Sequence, residues 1–97
     1  MAITTERYES TRVTATVAVR IPRDSDTDLV TDAQQRLARI DDVREVTVEG
    51  LQKLDPRLSA TVVTVDVMVE SSAPLAELRD SLSEPVLVDR VEHLEPA

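Results

Sequence analysis

Residues 59–70 read SATVVTVDVMVE, the longest run of β-branched and apolar residues in the sequence. Every second position carries Thr61, Val63, Val65, Val67 or Val69, whereas the positions between them mix apolar and polar residues. Successive side chains of a strand point to opposite faces, so one face of this strand is almost entirely valine. The pattern predicts a central strand with one buried face and one partly solvated face.

Residues 12–21 show the same alternation and predict a second central strand, which Pro22 ends. Weaker strands are predicted at 43–49 and at 86–94, and the imperfect alternation of the latter is typical of a bulged edge strand. Directly after the strand at 43–49, Gly50 marks a bulge or turn. Residues 51–58 are expected to continue from the strand at 43–49 as an arm with Asp55-Pro56 at its tip, before the central strand begins.

Two amphipathic helices separate these strands. The first is expected to start in the acidic cluster Asp24, Asp26 and Asp28 and to run to about Ile40, because acidic residues favour the first turn of a helix. The second is expected to start at residues 71–74, with a serine cap and a proline in the first turn, and to end before Pro85.

The resulting order, strand-helix-strand-strand-helix-strand, predicts an α+β fold of the ferredoxin-like βαββαβ type. We expect a four-stranded antiparallel sheet of order 4-1-3-2, with residues 12–94 as one domain, a loose tail at 1–11 and a short tail at 95–97. Right-handed crossovers place both helices on one face of the sheet. The residues beneath them are expected to be Val17, Val19, Val63, Val65 and Val67.

The other face of the two central strands, called the open face below, is the predicted interaction surface. It consists of Thr14, Thr16, Ala18, Arg20, Val62, Thr64, Asp66 and Met68. A sheet face this apolar favours cover by a second copy, a protein partner or a small metabolite. Alternatively, its threonines keep it soluble without a partner. Arg20 and Asp66 are expected to pair with each other or to complement a second copy.

Composition narrows the classes of function. The 97 residues include 19 acidic and 11 basic side chains, giving a net charge of −8, and no cysteine. This charge repels nucleic acid and anionic membrane surfaces, so neither is an expected partner. Lys53 is the only lysine, and such acidic, lysine-poor chains are similar to proteins of salt-loving archaea, although an acidic bacterial protein is the alternative. Without a signal-like or membrane-spanning apolar run, we expect a cytoplasmic protein.

The search for catalytic, metal and cofactor sites gives no candidate. Asp24, Asp26 and Asp28 match the opening of a calcium-binding EF-hand loop, but Leu29 and Gln35 stand where that loop needs glycine and glutamate. His93 is the only histidine and is expected to lie on an edge strand at the surface. A single glycine excludes glycine-rich phosphate loops, and the lack of Phe and Trp removes the stacking platform of RNA-binding sheets.

Several segments together resemble the ACT and RAM domains. These are VTATVAVRIP, the helix ending in RIDDV, the strand REVTVEG, the strand VVTVDVMV and the helix LAELRDSL, and the resemblance covers residues 12–94. The resemblance implies a βαββαβ sheet that dimerises and binds small metabolites between subunits. Gly50 is not followed by the Gly- or Asp-rich binding turn of those families, so the resemblance implies no binding residue.

Three functions remain. The first is a non-enzymatic dimerising module that binds a ligand or protein through the open face. The second is an enzyme of the dimeric α+β-barrel type, with a pocket between two sheets and Arg20, Asp66 or His93 as its reactive groups. The third is a subunit or adaptor of a larger assembly.

Overall fold

The predicted order of strands and helices is confirmed by a computed structural model, which describes residues 11–24 and 28–97. The elements are β1 (Thr11–Pro22), α1 (Leu29–Ala38), β2 (Val43–Pro56), β3 (Ala60–Ser71), α2 (Leu75–Ser83) and β4 (Val88–Pro96). The expected tail at 1–11 lies outside the described residues except for Thr11, which begins β1.

The two valine-rich strands occupy the centre of the sheet. The strand order is β2-β3-β1-β4 with every neighbour antiparallel, which is the predicted order 4-1-3-2. β1 and β3 pair without interruption from Thr11 opposite Ser71 to Pro22 opposite Ala60. Both edge strands contain shifts of register. Bulges of this kind twist an edge strand and hinder its pairing with other chains.

Both helices pack on the same face of the sheet. Leu37 of α1 and Leu78 and Leu82 of α2 are buried in one cluster with the inward-facing valines of β1 and β3. Among these, Val17 and Val65 lie opposite each other in the central ladder and have no exposed surface. Fully burying a side chain of this size stabilises the fold by about 1.5–3 kcal/mol before the loss of conformational entropy is counted.

Asp28 caps the start of α1, and Asp42 lies in the turn that connects this helix to β2. The Asp28 carboxylate accepts hydrogen bonds from the backbone of Val30 at 3.1 Å and of Thr31 at 3.4 Å, so Asp28 of the acidic cluster caps α1. Asp42 has a φ of 74°, a conformation that aspartate tolerates better than most residues. Its carbonyl accepts from the Ser72 backbone at 3.0 Å and its carboxylate from the Ser81 hydroxyl at 2.8 Å. This turn therefore ties the α1–β2 connection to α2.

The expected arm at residues 51–58 is wrong. Residues 51–56 continue β2, and Leu51, Leu54 and Pro56 lie opposite Val65, Val63 and Thr61 of β3. The bulge predicted at Gly50 is confirmed as a shift of register between Val48 and Gly50. It realigns β2 instead of ending it, because the long strand β3 offers pairing partners as far as Thr61. A tight turn, closed by the Arg57 backbone donating to Ala60 at 2.7 Å, joins the two strands.

Two smaller predictions also need correction. β4 runs to Pro96, and the Ala97 backbone donates to Arg12 at 2.9 Å, so residues 95–97 pair with β1 instead of forming a tail. Pro74, with no capping side chain, precedes α2. Ser71 is buried and accepts from the Ala73 backbone at 2.9 Å, so it stabilises the bend before the helix and does not cap it.

Neither described helix has the length and apolar character needed to cross a membrane.

Candidate functional site on the open face

The register of β1 and β3 brings the eight predicted residues of the open face together. Across the ladder Thr14 lies opposite Met68, Thr16 opposite Asp66, Ala18 opposite Thr64 and Arg20 opposite Val62. These positions alternate with the buried valines, so they point away from both helices. In the described part of the chain, no helix covers this side of the sheet.

Asp66 is the centre of a hydrogen-bonded cluster on the open face. Its Oδ1 accepts from the Thr16 hydroxyl at 2.8 Å, and both of its carboxylate oxygens accept from Gln52 Nε2 at 2.9 Å. Gly50 lies opposite Asp66 on β2, and a Cβ there would lie 3.8 Å from Asp66 Oδ2, an ordinary contact. The register shift between Leu51 and Lys53 carries Gln52 to the carboxylate.

These hydrogen bonds hold the Asp66 carboxylate in its charged form. The pKa of Asp66 is lowered, first by the hydrogen bond from Gln52 and then by that from Thr16. Partial burial acts in the opposite direction, and the nearby His93 lowers the pKa further when it is charged. The open face therefore presents a fixed negative charge at its centre at neutral pH.

A hollow of about 270 Å³ lies beside this carboxylate. His93 on β4 faces Thr16 across the ladder, and its Nε2 lies 3.3 Å from Glu95 Oε2. The hollow is lined by Thr14, Ala15, Thr16, Glu49, Asp66, Val67 and His93. The structure therefore brings together two of the three groups proposed for an enzyme, Asp66 and His93.

Arg20, the third such group, is separate from them. It lies opposite Val62, on the same strand as Thr16 but four residues further along. Asp66 is bonded to Thr16 and Gln52 instead, and the described residues contain no Arg20–Asp66 ion pair, so this expected pairing is wrong. The reason is register, because the antiparallel ladder sets Asp66 opposite Thr16.

A chain of ion pairs links the two edge strands at the Arg20 end of the sheet. Arg57, in the turn between β2 and β3, lies 3.1 Å from Asp55 and 3.8 Å from Asp89 on β4. Arg90 continues the chain, at 3.8 Å from Asp89 and 2.9 Å from Glu92. The side chain of Arg57 thus joins partners on both sides of the central strands.

This end of the open face is much less exposed than the sequence suggests. Ala18, Val62 and Thr64 are 0%, 3% and 4% exposed, although no helix lies over them. Arg90 is the ladder partner of Ala18, and Asp55 is that of Val62. Long charged side chains on both flanking strands therefore shield the small ones between them. The accessible part of the open face is its polar half, around Thr14, Thr16, Asp66 and Met68.

The calcium-loop interpretation receives no support from the described residues, which contain no cluster of three or more potential metal ligands. Asp28 is engaged in capping α1, and hydrogen bonds from Thr31 and then Val30 lower its pKa. Asp26 lies outside the described residues.

Sequence reasoning missed Gln52, Arg57 and Asp89. The sequence places Gln52 in an arm beyond the strand at 43–49, and only the continuation of β2 past its bulges brings Gln52 to Asp66. The contact between Arg57 and Asp89 joins residues far apart in the chain, and local periodicity carries no signal for such a pair. Alternation of charge near Asp89, Arg90 and Glu92 was the one available hint that β4 carries ion pairs.

Comparison with protein families, with curated proteins and with solved structures gave no match to this chain.

Proposed function

We propose that the protein is a non-enzymatic module that associates with a second copy of itself through the open face, and that a small ligand binds between the two copies beside the Asp66 cluster. The observation that carries the proposal is the helix-free side of the sheet, whose centre is an ordered polar cluster of Thr16, Gln52 and Asp66. Face-to-face packing of two such sheets is a common way to cover them. The resemblance to ACT and RAM domains suggests the same arrangement.

The charges at the two ends of the open face favour a particular geometry. Asp66, Glu95 and Glu49 lie around the Thr16 end, whereas Arg20 lies towards the other end, where Arg57 and Arg90 already have acidic partners within the chain. A two-fold axis that is parallel to the sheets and perpendicular to the strands sets the Arg20 end of one copy against the Asp66 end of the other. Such an interface uses the same surface on both subunits and pairs opposite charges across it.

Sedimentation equilibrium tests this proposal directly. The wild-type protein should show a concentration-dependent increase to twice the mass of the single chain. Thr14→Arg places a long cation on the open face, at a residue with no side-chain hydrogen bond in the described structure, and should weaken the dimer at least about tenfold, the factor that 1.4 kcal/mol represents.

Ala76→Arg is the matched control, because it adds the same charge on the exposed side of α2, away from the open face. Its self-association should equal that of the wild type. A protein that stays monomeric at every concentration, or a dimer equally affected by both substitutions, would contradict the proposal.

The hollow beside Asp66 and His93 favours a second candidate, an enzyme with a pocket between two sheets. A carboxylate next to an imidazole can exchange protons with a bound substrate. This candidate requires that the dimer keep the hollow open, so a dry interface with His93 in direct contact with the second copy would remove it.

A further inference from the structure

A strap of charged side chains connects the two edges of the sheet at the end of the open face away from Asp66. Arg57, in the turn between β2 and β3, lies with its Nη2 3.1 Å from Asp55 Oδ2 on β2. Its Nη1 lies 3.8 Å from Asp89 Oδ1 on β4, at the opposite edge. Strands β3 and β1 lie between these two edges. The Arg57 side chain therefore spans the central strands, and Arg57, Asp55 and Asp89 together are called the strap below.

Two apolar residues of the open face, Ala18 and Val62, are buried between the two ends of the strap and are called the shielded pair below. Asp55 lies opposite Val62 in the sheet, and Arg90, the neighbour of Asp89, lies opposite Ala18. Among the described residues, no helix lies on this side of the sheet. The burial of the shielded pair therefore depends on side chains from the edges, whose stems cover apolar surface while their charged ends remain in water.

The contacts that hold the strap closed are weak. The side chains of Arg57 and Asp55 are 40% and 45% exposed, and the distance from Arg57 to Asp89 is long for an ion pair. Ion pairs so open to solvent stabilise a structure only slightly, and salt screens them. The sheet beneath does not depend on them, because β1 and β3 pair without interruption. The strap can therefore open while the sheet stays folded.

We propose that the strap is a salt-sensitive gate over the apolar half of the open face. At low salt the strap is closed and a second copy contacts only the polar half around Asp66. In molar salt, where charges are screened over about 3 Å, the strap opens and uncovers the shielded pair. The contact then extends over this apolar surface, whose burial strengthens the dimer. The control of self-association rests on the proposed dimer, whereas the opening of the strap does not.

The opening of the strap is tested on dilute protein, below the concentration at which it self-associates. A neutral, soluble gadolinium chelate speeds the relaxation of methyl protons that solvent reaches. The salt concentration is lowered from molar to the lowest value at which the methyl groups of Val17, buried beneath the helices, stay protected. Over this range the relaxation of the Ala18 and Val62 methyl groups should slow at least about twofold, in line with the strength of exposed ion pairs. Relaxation of both that is independent of salt would overturn the proposal.

Two substitutions open the strap with opposite changes of net charge. Arg57→Ala removes its central side chain, and Asp89→Asn releases Arg57 from β4. At low salt both variants should expose the shielded pair and tighten the dimer at least about twofold relative to the wild type. Arg44→Ala and Asp80→Asn make the same two charge changes at exposed positions without a described ion pair, and both controls should behave as the wild type does. A dimer that follows net charge instead, tightened in both neutralised acids and weakened in both arginine variants, would overturn the proposal.

Sedimentation equilibrium at low and molar salt, run beside the relaxation measurement, separates the gate from the dimer. In molar salt the wild type and all four variants should dimerise with the same affinity, because the strap is then open in each of them. Protection of the shielded pair that salt and Arg57→Ala leave unchanged, in a protein that dimerises, would overturn the gate alone. A strap that opens in a protein that is monomeric under every condition would support the opening and overturn the proposed dimer.

Discussion

Gln52 Nε2 on β2 donates to both carboxylate oxygens of Asp66 on β3 at 2.9 Å. The alternation of residues in the sequence does not predict this contact. The contact depends on the bulges of β2 around Gly50 and Gln52. It is the largest single cause of the lowered pKa of Asp66. The charge at the centre of the open face is thus set by an edge strand.

Gln52→Ala should raise the pKa of Asp66 towards its ordinary value, because the charged carboxylate loses its main donor. Carbon-13 NMR of the aspartate carboxyl groups measures this shift. Gln35→Ala, on the exposed side of α1, is the matched control and should leave the Asp66 titration unchanged. An unchanged pKa of Asp66 in the Gln52 variant would show that Gln52 does not stabilise the charged form.

The same contact makes the stability of the fold depend on pH. Because the pKa of Asp66 is lower in the folded protein than in the unfolded chain, its contribution is complete at pH values above the unfolded value of about 3.9. The contribution is lost as the pH falls through the lower pKa of the folded protein. Urea unfolding of wild type and Gln52→Ala should therefore differ at neutral pH and converge in acid. A difference that grows in acid would contradict this sign.

Arg57→Ala should reduce the free energy of unfolding by about 0.5 kcal/mol in dilute buffer, since exposed ion pairs stabilise proteins only slightly. Arg57 is 40% exposed and contacts both Asp55 and Asp89. The effect should vanish in molar salt, where charges are screened over about 3 Å. Urea unfolding at low and high salt measures it, with Arg44→Ala as the control without a described ion pair. A loss that is independent of salt would mean that Arg57 acts through packing.

Leu37→Ala should destabilise the fold by about 2–5 kcal/mol, the range for truncation of a buried leucine. Leu37 is fully buried between α1 and the sheet. Leu58→Ala makes the same chemical change at a side chain that is 98% exposed, so its stability should equal that of the wild type. Thermal or urea unfolding compares the two. A similar loss of stability in both variants would show that Leu37 is not part of the buried core.

The net charge of −8 gives a prediction about salt. If the acidic, lysine-poor composition reflects adaptation to molar salt, dialysis into dilute buffer should remove secondary structure because self-repulsion is then unscreened. Circular dichroism in the two solutions measures this loss. An identical spectrum in both would count against a salt-loving origin and favour the bacterial alternative.

The sequence predicted the layers and the order of strands because both depend on local periodicity. Alternating valines at 63, 65 and 67 and leucines at helical spacing, such as Leu78 and Leu82, each report which side of an element is buried. The assignment of Thr16 and Asp66 to one face followed from the same alternation, and the register of β1 and β3 made them direct neighbours.

The contacts that shape the candidate site could not be predicted from the sequence pattern. Leu51 and Leu54 pair with β3 beyond the Gly50 bulge, and the alternation within 43–49 does not show that β3 is long enough to offer them partners. Likewise, the shielding of Ala18 and Val62 depends on charged side chains from β4 and from the β2–β3 turn. Periodicity describes one element at a time, whereas these features arise from residues on several strands.

The central claim is that the open face is where a second copy binds. A dilution series of amide correlation spectra tests it most directly, because chemical shifts that change with concentration identify the residues in the contact. We expect changes at Thr14, Thr16, Asp66 and Met68, and none on the exposed sides of α1 and α2. Spectra that do not change on dilution, or changes confined to the helices, would contradict the claim.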